Sequence, residues 1–139
     1  MTTKVLLADD NKIMRECVGR LLRDQPSIEL VGIAASFAQA MQMRVDFKPE
    51  VLVFDLHLAQ KQDFTPAFVK SQMASISVIA ISTFNDEEAQ ALAASYGALI
   101  LLDKMTLFNE LIPTIAKCCP NLAAQGAEPA PTNPLATAS

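Results

Sequence analysis

Short apolar runs alternate with amphipathic stretches along most of this chain. Lys4-Val5-Leu6-Leu7-Ala8 reads as a buried strand, stopped by Asp9-Asp10-Asn11. From Lys12 to Arg23 the apolar residues Ile13, Met14, Cys17, Val18, Leu21 and Leu22 recur at helical spacing, and Asn11 in front of them predicts an N-cap. Ile28 to Ala34 reads as a second strand, and Ser36 as the cap of a helix running to about Asp46. Val51-Leu52-Val53-Phe54 is continuous and apolar, as a strand covered on both faces is. Thr65-Pro66 suits an N-cap followed by a first-turn proline. Val78-Ile79-Ala80-Ile81 predicts another central strand. Asn85-Asp86-Glu87-Glu88 reads as a cap with an acidic first turn, which the helix dipole favours, and that helix should end near Gly97. Ala98 to Leu102 predicts a fifth strand. A last helix spans roughly Leu107 to Cys118. Pro113 inside it removes a backbone hydrogen bond, which predicts a kink or a late helix start.

Five strands, each followed by a helix, imply an α/β fold: a doubly wound parallel sheet with helices on both faces. Ligands of such sheets bind beyond the carboxyl ends of the strands. The residues placed there are few in type. Asp9 and Asp10 follow strand one, Asp55 ends strand three, Ser82 ends strand four with Thr83 next, and Asp103 and Lys104 follow strand five. Topology alone therefore brings together the carboxylates of Asp9, Asp10 and Asp55, a hydroxyl and an ammonium. Three acids in one place repel one another and raise at least one pKa. A divalent cation relieves this, and carboxylate oxygens suit Mg²⁺, which commonly bridges them to phosphate. Lys104 leaves one positive charge for an anionic ligand, and a phosphoryl group meets both demands. Asp55 is then the nucleophile of an acyl phosphate. The metal neutralises charge between the attacking oxygen and the phosphoryl oxygens. Ser82 and Lys104 each hold a phosphoryl oxygen.

Composition narrows the field further. With 139 residues, 51% hydrophobic and 19% charged, the chain has material for one core. No run approaches the ~18 apolar residues of a membrane span, and the N-terminus has no secretory-signal pattern. A net charge of -4 with scattered basic residues argues against direct nucleic-acid binding. Three cysteines, Cys17, Cys118 and Cys119, without CxxC spacing argue against a disulfide scaffold and for a reducing, cytoplasmic compartment. From Pro120 the composition changes: four of the eight prolines fall in residues 120–139, with one charge, Glu128, and no apolar periodicity. The sequence therefore divides into a folded domain, 1–119, and a Pro/Ala-rich linker or disordered tail, 120–139. The tail either joins a second domain or is a dispensable end.

The acidic pair in LLADDN (Asp9, Asp10), the acceptor in VLVFDLHL (Asp55), the hydroxyl in IAISTFND (Ser82) and the lysine in YGALILLDKM (Lys104) together resemble the receiver domain of two-component response regulators. The likeness covers about residues 4–118. It implies a flavodoxin-like (βα)5 fold with strand order 2-1-3-4-5. It also implies phosphoryl transfer to Asp55 from a cognate histidine kinase or phosphotransfer protein, and a Mg²⁺ ion held by Asp9, Asp10, Asp55 and the His57 backbone carbonyl. Ser82 and Lys104 would sense the phosphoryl group and switch the last two helices. The segment DKMTLFNELIPTIAK and the tail are similar to receivers that precede a LuxR-type DNA-binding domain. Contact with DNA would then run only through an output domain outside this chain, and no contact with membranes is implied.

The sequence also departs from the family. Ala59 and Asp63 stand where a proline and a glycine are usual, so the loop from His57 to Phe64 should differ in shape. Leu101 replaces the usual switch aromatic, and Thr83 the usual small residue. These departures motivate a first alternative, a phosphorylation-independent pseudo-receiver acting by protein–protein contact. The second is a metal-dependent phosphatase with an aspartyl nucleophile. It needs an aspartate two residues after Asp55, where this chain has His57. The His57 ring itself either borders the site or takes a metal or acid/base role. Asp103 reads as a solvated neighbour of Lys104, and Cys118-Cys119 as packing residues. Leu107, Phe108, Leu111, Ile112 and Ile115 are too many for a narrow stripe: either part of that face is a homodimer or domain contact, or all of it is core.

Overall fold

Every residue of the third strand is buried, and so are residues 5–8 and 78–82 beside it. β1 (Thr3–Ala8) lies between β2 (Ile28–Ala34) and β3 (Val51–Asp55), and β4 (Ser77–Ser82) and β5 (Ile100–Asp103) extend the sheet beyond β3. All pairings are parallel, so the strand order is 2-1-3-4-5, the flavodoxin-like order expected above. The structure is a computed structural model, and it describes residues 2–61 and 64–118. Asp63, Cys119 and the segment 120–139 read as a linker lie outside the described residues.

Helices α1 (Lys12–Arg23), α2 (Phe37–Phe47), α3 (Pro66–Gln72), α4 (Glu87–Ser95) and α5 (Leu107–Cys118) cover both faces. Alternate strand residues point to opposite faces. Val5, Leu7, Val53 and Ile79 pack with Val18 and Leu22 of α1 and with Leu107, Leu111 and Ile115 of α5. Leu6, Leu52, Phe54 and Val78 pack with Phe37 of α2, Val69 of α3 and Ala93 of α4. Phe37, Phe54 and Tyr96 form an aromatic trio with centroids 5.4 to 6.0 Å apart. Four helix starts are capped by the residues the sequence marks. Asn11, Ser36, Thr65 and Asp86 accept hydrogen bonds from the backbone N–H groups of Met14, Gln39, Phe68 and Ala89.

Three elements differ from expectation. The fifth strand begins at Ile100, not Ala98, and runs through Asp103. Ala98 N–H is spent on Ala93 O in closing α4, so it cannot start a strand. The last helix has no late start: it begins at Leu107 and runs through Pro113. Packing of Leu107, Leu111 and Ile115, all fully buried, outweighs the bond that proline removes. Ile112 and Cys118 are partly buried against the same core, which leaves Phe108 as the exposed member of the apolar set. Finally, Leu56–Lys61 folds as a 3-10 helix, with Leu58 and Ala59 buried.

Gly97 follows α4 at φ +90, a conformation L-residues avoid, and a Cβ there would lie 3.1 Å from Lys70 Cγ. Gly97→Ala is expected to destabilise the fold by about 1–2 kcal/mol. Urea unfolding followed by circular dichroism checks this; an unchanged midpoint would show that the turn relaxes freely.

Candidate functional site

The carboxyl ends of β1 and β3 deliver the acids. Asp9 and Asp10 come directly after β1, and Asp55 is the last residue of β3, as the sequence reading has it. Parallel pairing of Ala8 with Phe54 sets the two ends level. One carboxylate oxygen from each of Asp9, Asp10 and Asp55 lies within 4.8 Å of the others. Asp9 and Asp55 are almost sealed, at 1% and 3% exposure. Asp10 is partly exposed.

Each acid has different partners. Asp9 Oδ1 accepts from Asn11 N–H at 2.8 Å, while Arg15 Nη1 donates to the Asp9 carbonyl at 2.9 Å. Asp9 Oδ2 is buried with no hydrogen-bond partner among the described residues. Asp55 Oδ1 accepts from His57 N–H at 3.1 Å, and Asp55 Oδ2 pairs with Lys104 Nζ at 3.0 Å. Asp10 Oδ2 faces His57 Nδ1 at 3.2 Å and Lys61 Nζ at 3.4 Å.

The electrostatics follow. Burial raises the Asp9 carboxyl to about 6; the Asp55 charge adds to the effect, while Asn11 N–H and Lys104 oppose it. Burial also raises Asp10, but His57 and Lys61 outweigh it and hold that carboxyl below its ordinary value. The orphaned Asp9 oxygen, two nearly sealed acids and an all-oxygen donor set fit a hard cation such as Mg²⁺. A cation would meet the unmet acceptor and relieve the repulsion that lifts Asp9.

Asp55 belongs both to the acid cluster and to an open cavity of about 340 Å³. Ser82, Thr83, Phe84, His57 and Lys104 also line it. Ser82 is the last residue of β4, paired with Asp103 of β5. Its Oγ accepts from Phe84 N–H at 3.1 Å, and its carbonyl accepts from Lys104 N–H at 2.9 Å. Asp103 is no idle neighbour: its Oδ1 accepts from Met105 N–H at 2.8 Å, turning the chain after β5. Leu101, at the usual aromatic switch position, is buried in the core.

The structure thus gathers Asp9, Asp10, Asp55, His57, Ser82 and Lys104 at one sheet edge. Sequence reading overlooked two cations there. Arg15 sits on the first turn of α1, close enough in sequence to Asp9 that a basic side chain there could have been weighed. Lys61 has no such signal, because its reach to Asp10 depends on the 3-10 helix.

A flavodoxin-like sheet with acids, a hydroxyl and a lysine at its carboxyl edge defines a receiver-type α/β domain. The chain belongs to the response regulator receiver domain family of two-component signalling, whose profile matches residues 5–116. It is 30% identical over 117 residues to protein-glutamate methylesterase/protein-glutamine glutaminase 2 of Shewanella oneidensis, covering 79% of this chain and 33% of that protein. The corresponding protein 3 of Geobacter sulfurreducens is 25% identical over 103 residues, covering 74% and 28%. This chain therefore spans about a third of the length of the curated relatives it matches. Among solved structures it is similar to the response regulator domain of Thermotoga maritima CheB, with TM-score 0.72 and 22% identity over 85% of this chain and 96% of that one. It is also similar to the signal receiver domain of NarL from Mycobacterium tuberculosis, with TM-score 0.74 and 25% identity over 84% and 95%. Among the described residues, no helix is long and apolar enough to cross a membrane.

Proposed function

We propose that this chain is a phosphoacceptor receiver that takes a phosphoryl group on Asp55. The observation that carries the reading is the position of Asp55: nearly sealed within an acid cluster, paired with Lys104, and yet open to a cavity on one side. An Asp55 oxygen attacks phosphorus, a new P–O bond forms, and the P–N bond to a donor phosphohistidine breaks as the imidazole leaves. That donor is a histidine kinase or phosphotransfer protein. Lys104 holds one phosphoryl oxygen, and Ser82, whose Oγ accepts from Phe84 N–H, donates its hydroxyl hydrogen to another. Asp9, Asp10, Asp55 and the His57 carbonyl would hold Mg²⁺, which would supply neutralisation of the transferring group. The domain is no enzyme beyond assisting its own modification and release. It works in the cytoplasm, with residues 1–119 as the receiver domain.

Incubation with acetyl phosphate and Mg²⁺ followed by intact mass measurement tests this. Gain of one phosphoryl group supports the proposal. No gain favours the pseudo-receiver reading, which the occupied Asp10 and the altered loop motivate. Ser82→Ala is expected to keep part of the modification but to lose most of the shift in the loop after β4 and in α4–α5, read by hydrogen exchange. A fully switching variant would remove Ser82 from the relay.

Two outputs are consistent with a receiver. The DKMTLFNELIPTIAK segment and the tail suggest a DNA-binding output that regulates transcription. The curated relatives named above, at 25–30% identity, are methylesterases, and a match to such a protein of Cereibacter sphaeroides covers 97% of this chain, so it reaches into the tail. The reading frame beyond Ser139 distinguishes a helix-turn-helix from a methylesterase domain.

A further inference from the structure

The three acids are not equivalent in access. Asp9 and Asp55 are nearly sealed, whereas the Asp10 side chain is 21% exposed at the rim. Its Oδ2 is shared by two donors from the loop after Asp55, the His57 ring at 3.2 Å and the Lys61 ammonium at 3.4 Å. The 3-10 helix Leu56–Lys61 puts both there, anchored by buried Leu58 and Ala59. Lys61 itself is about half exposed, at 52%, and its four-carbon stem is flexible. An ammonium and a divalent ion cannot both occupy the same face of that oxygen. Were the ion to use the other Asp10 oxygen, two positive charges would still confront each other across one carboxylate.

We propose that Lys61 is a built-in competitor for the metal: it neutralises Asp10 when no ion is bound and must swing into solvent for Mg²⁺ to take that carboxylate. Lys61 thereby sets the affinity of the site. This rests on the reading of the acid cluster as a Mg²⁺ site. The lowered Asp10 carboxyl agrees with it, since the His57 ring and the Lys61 ammonium both favour its charged form. Linkage follows as well. An acidic surface that draws Lys61 away tightens metal binding, and bound metal frees Lys61 for such a surface.

The test is calorimetric titration of Mg²⁺ into the 139-residue chain at fixed ionic strength, repeated with Mn²⁺ by electron paramagnetic resonance. Lys61→Gln is expected to bind either ion about fivefold tighter, the scale of a half-exposed ion pair. Lys61→Arg, which keeps the charge, should stay near the parent. Lys117→Gln removes the same charge from the exposed last turn of α5 and should shift affinity by less than about twofold, because solvent screens it. Asp10→Asn should weaken binding in every background. If Lys61→Gln matches the parent while Asp10→Asn loses binding, Lys61 is no competitor and the metal-site reading stands. If Asp10→Asn binds as the parent does, or neither the parent nor Lys61→Gln binds at millimolar Mg²⁺, the metal-site reading fails and this inference with it.

Discussion

Asp55→Asn is expected to abolish uptake of a phosphoryl group from acetyl phosphate and to leave the fold in place. The amide that replaces the carboxylate is too poor a nucleophile to attack phosphorus. The fold should survive because the change removes one of three mutually repelling acids. Asp9 loses the neighbouring charge that helps raise its carboxyl, and Lys104 keeps a negative neighbour in Asp9. Shape is conserved, so the packing of Phe54 and Ile81 around the end of β3 is undisturbed. Intact mass and circular dichroism together give the answer. An Asp55→Asn chain that still gained one phosphoryl group would place the acceptor elsewhere, on Asp9 or Asp10.

Asp9→Asn is expected to stabilise the metal-free chain at neutral pH. In the fold the Asp9 carboxyl is raised to about 6 from an ordinary 3.8. The native state therefore holds this proton more tightly than the unfolded chain does. Its contribution to stability is fully present below about 3.8 and is lost as pH rises through about 6. Above that, the buried charge costs on the order of 3 kcal/mol. Asparagine carries no such charge and can still accept from Asn11 N–H through its own oxygen. Urea midpoints in chelator should thus rise at pH 7.5 and converge with the parent near pH 4. A gain independent of pH, or a loss at pH 7.5, would show that charge burial at Asp9 is not the cause. Added Mg²⁺ should stabilise the parent by mass action and the variant far less.

Local signals account for what the sequence made legible. Asn11, Ser36, Thr65 and Asp86 each cap their own helix, so nothing distant decides them. Continuous apolar runs marked β3 and β4 as central, and a parallel α/β arrangement then sent Asp9, Asp10, Asp55, Ser82 and Lys104 to one edge. What stayed hidden depends on distant contacts. The start of β5 is decided by how α4 closes on Ala93, and by Leu99 N–H reaching Val78 O on the neighbouring strand. Pro113 reads as a breaker in isolation, but three buried side chains on the same helix outweigh it. Lys61 carries no periodic or motif signal. Only the path of the loop, with Ala59 turned inward, brings its ammonium to Asp10. Tyr96 is the single tyrosine in the sequence, and its place between α2 and β3 emerges only from packing.

That last residue has a practical consequence. The chain contains no tryptophan and one tyrosine, so its intrinsic fluorescence comes from a single phenol ring stacked on Phe37 at 5.4 Å. The ring sits at the C-terminal end of α4. Any displacement of that helix alters the emission of one known fluorophore, which makes the unlabelled protein its own optical reporter.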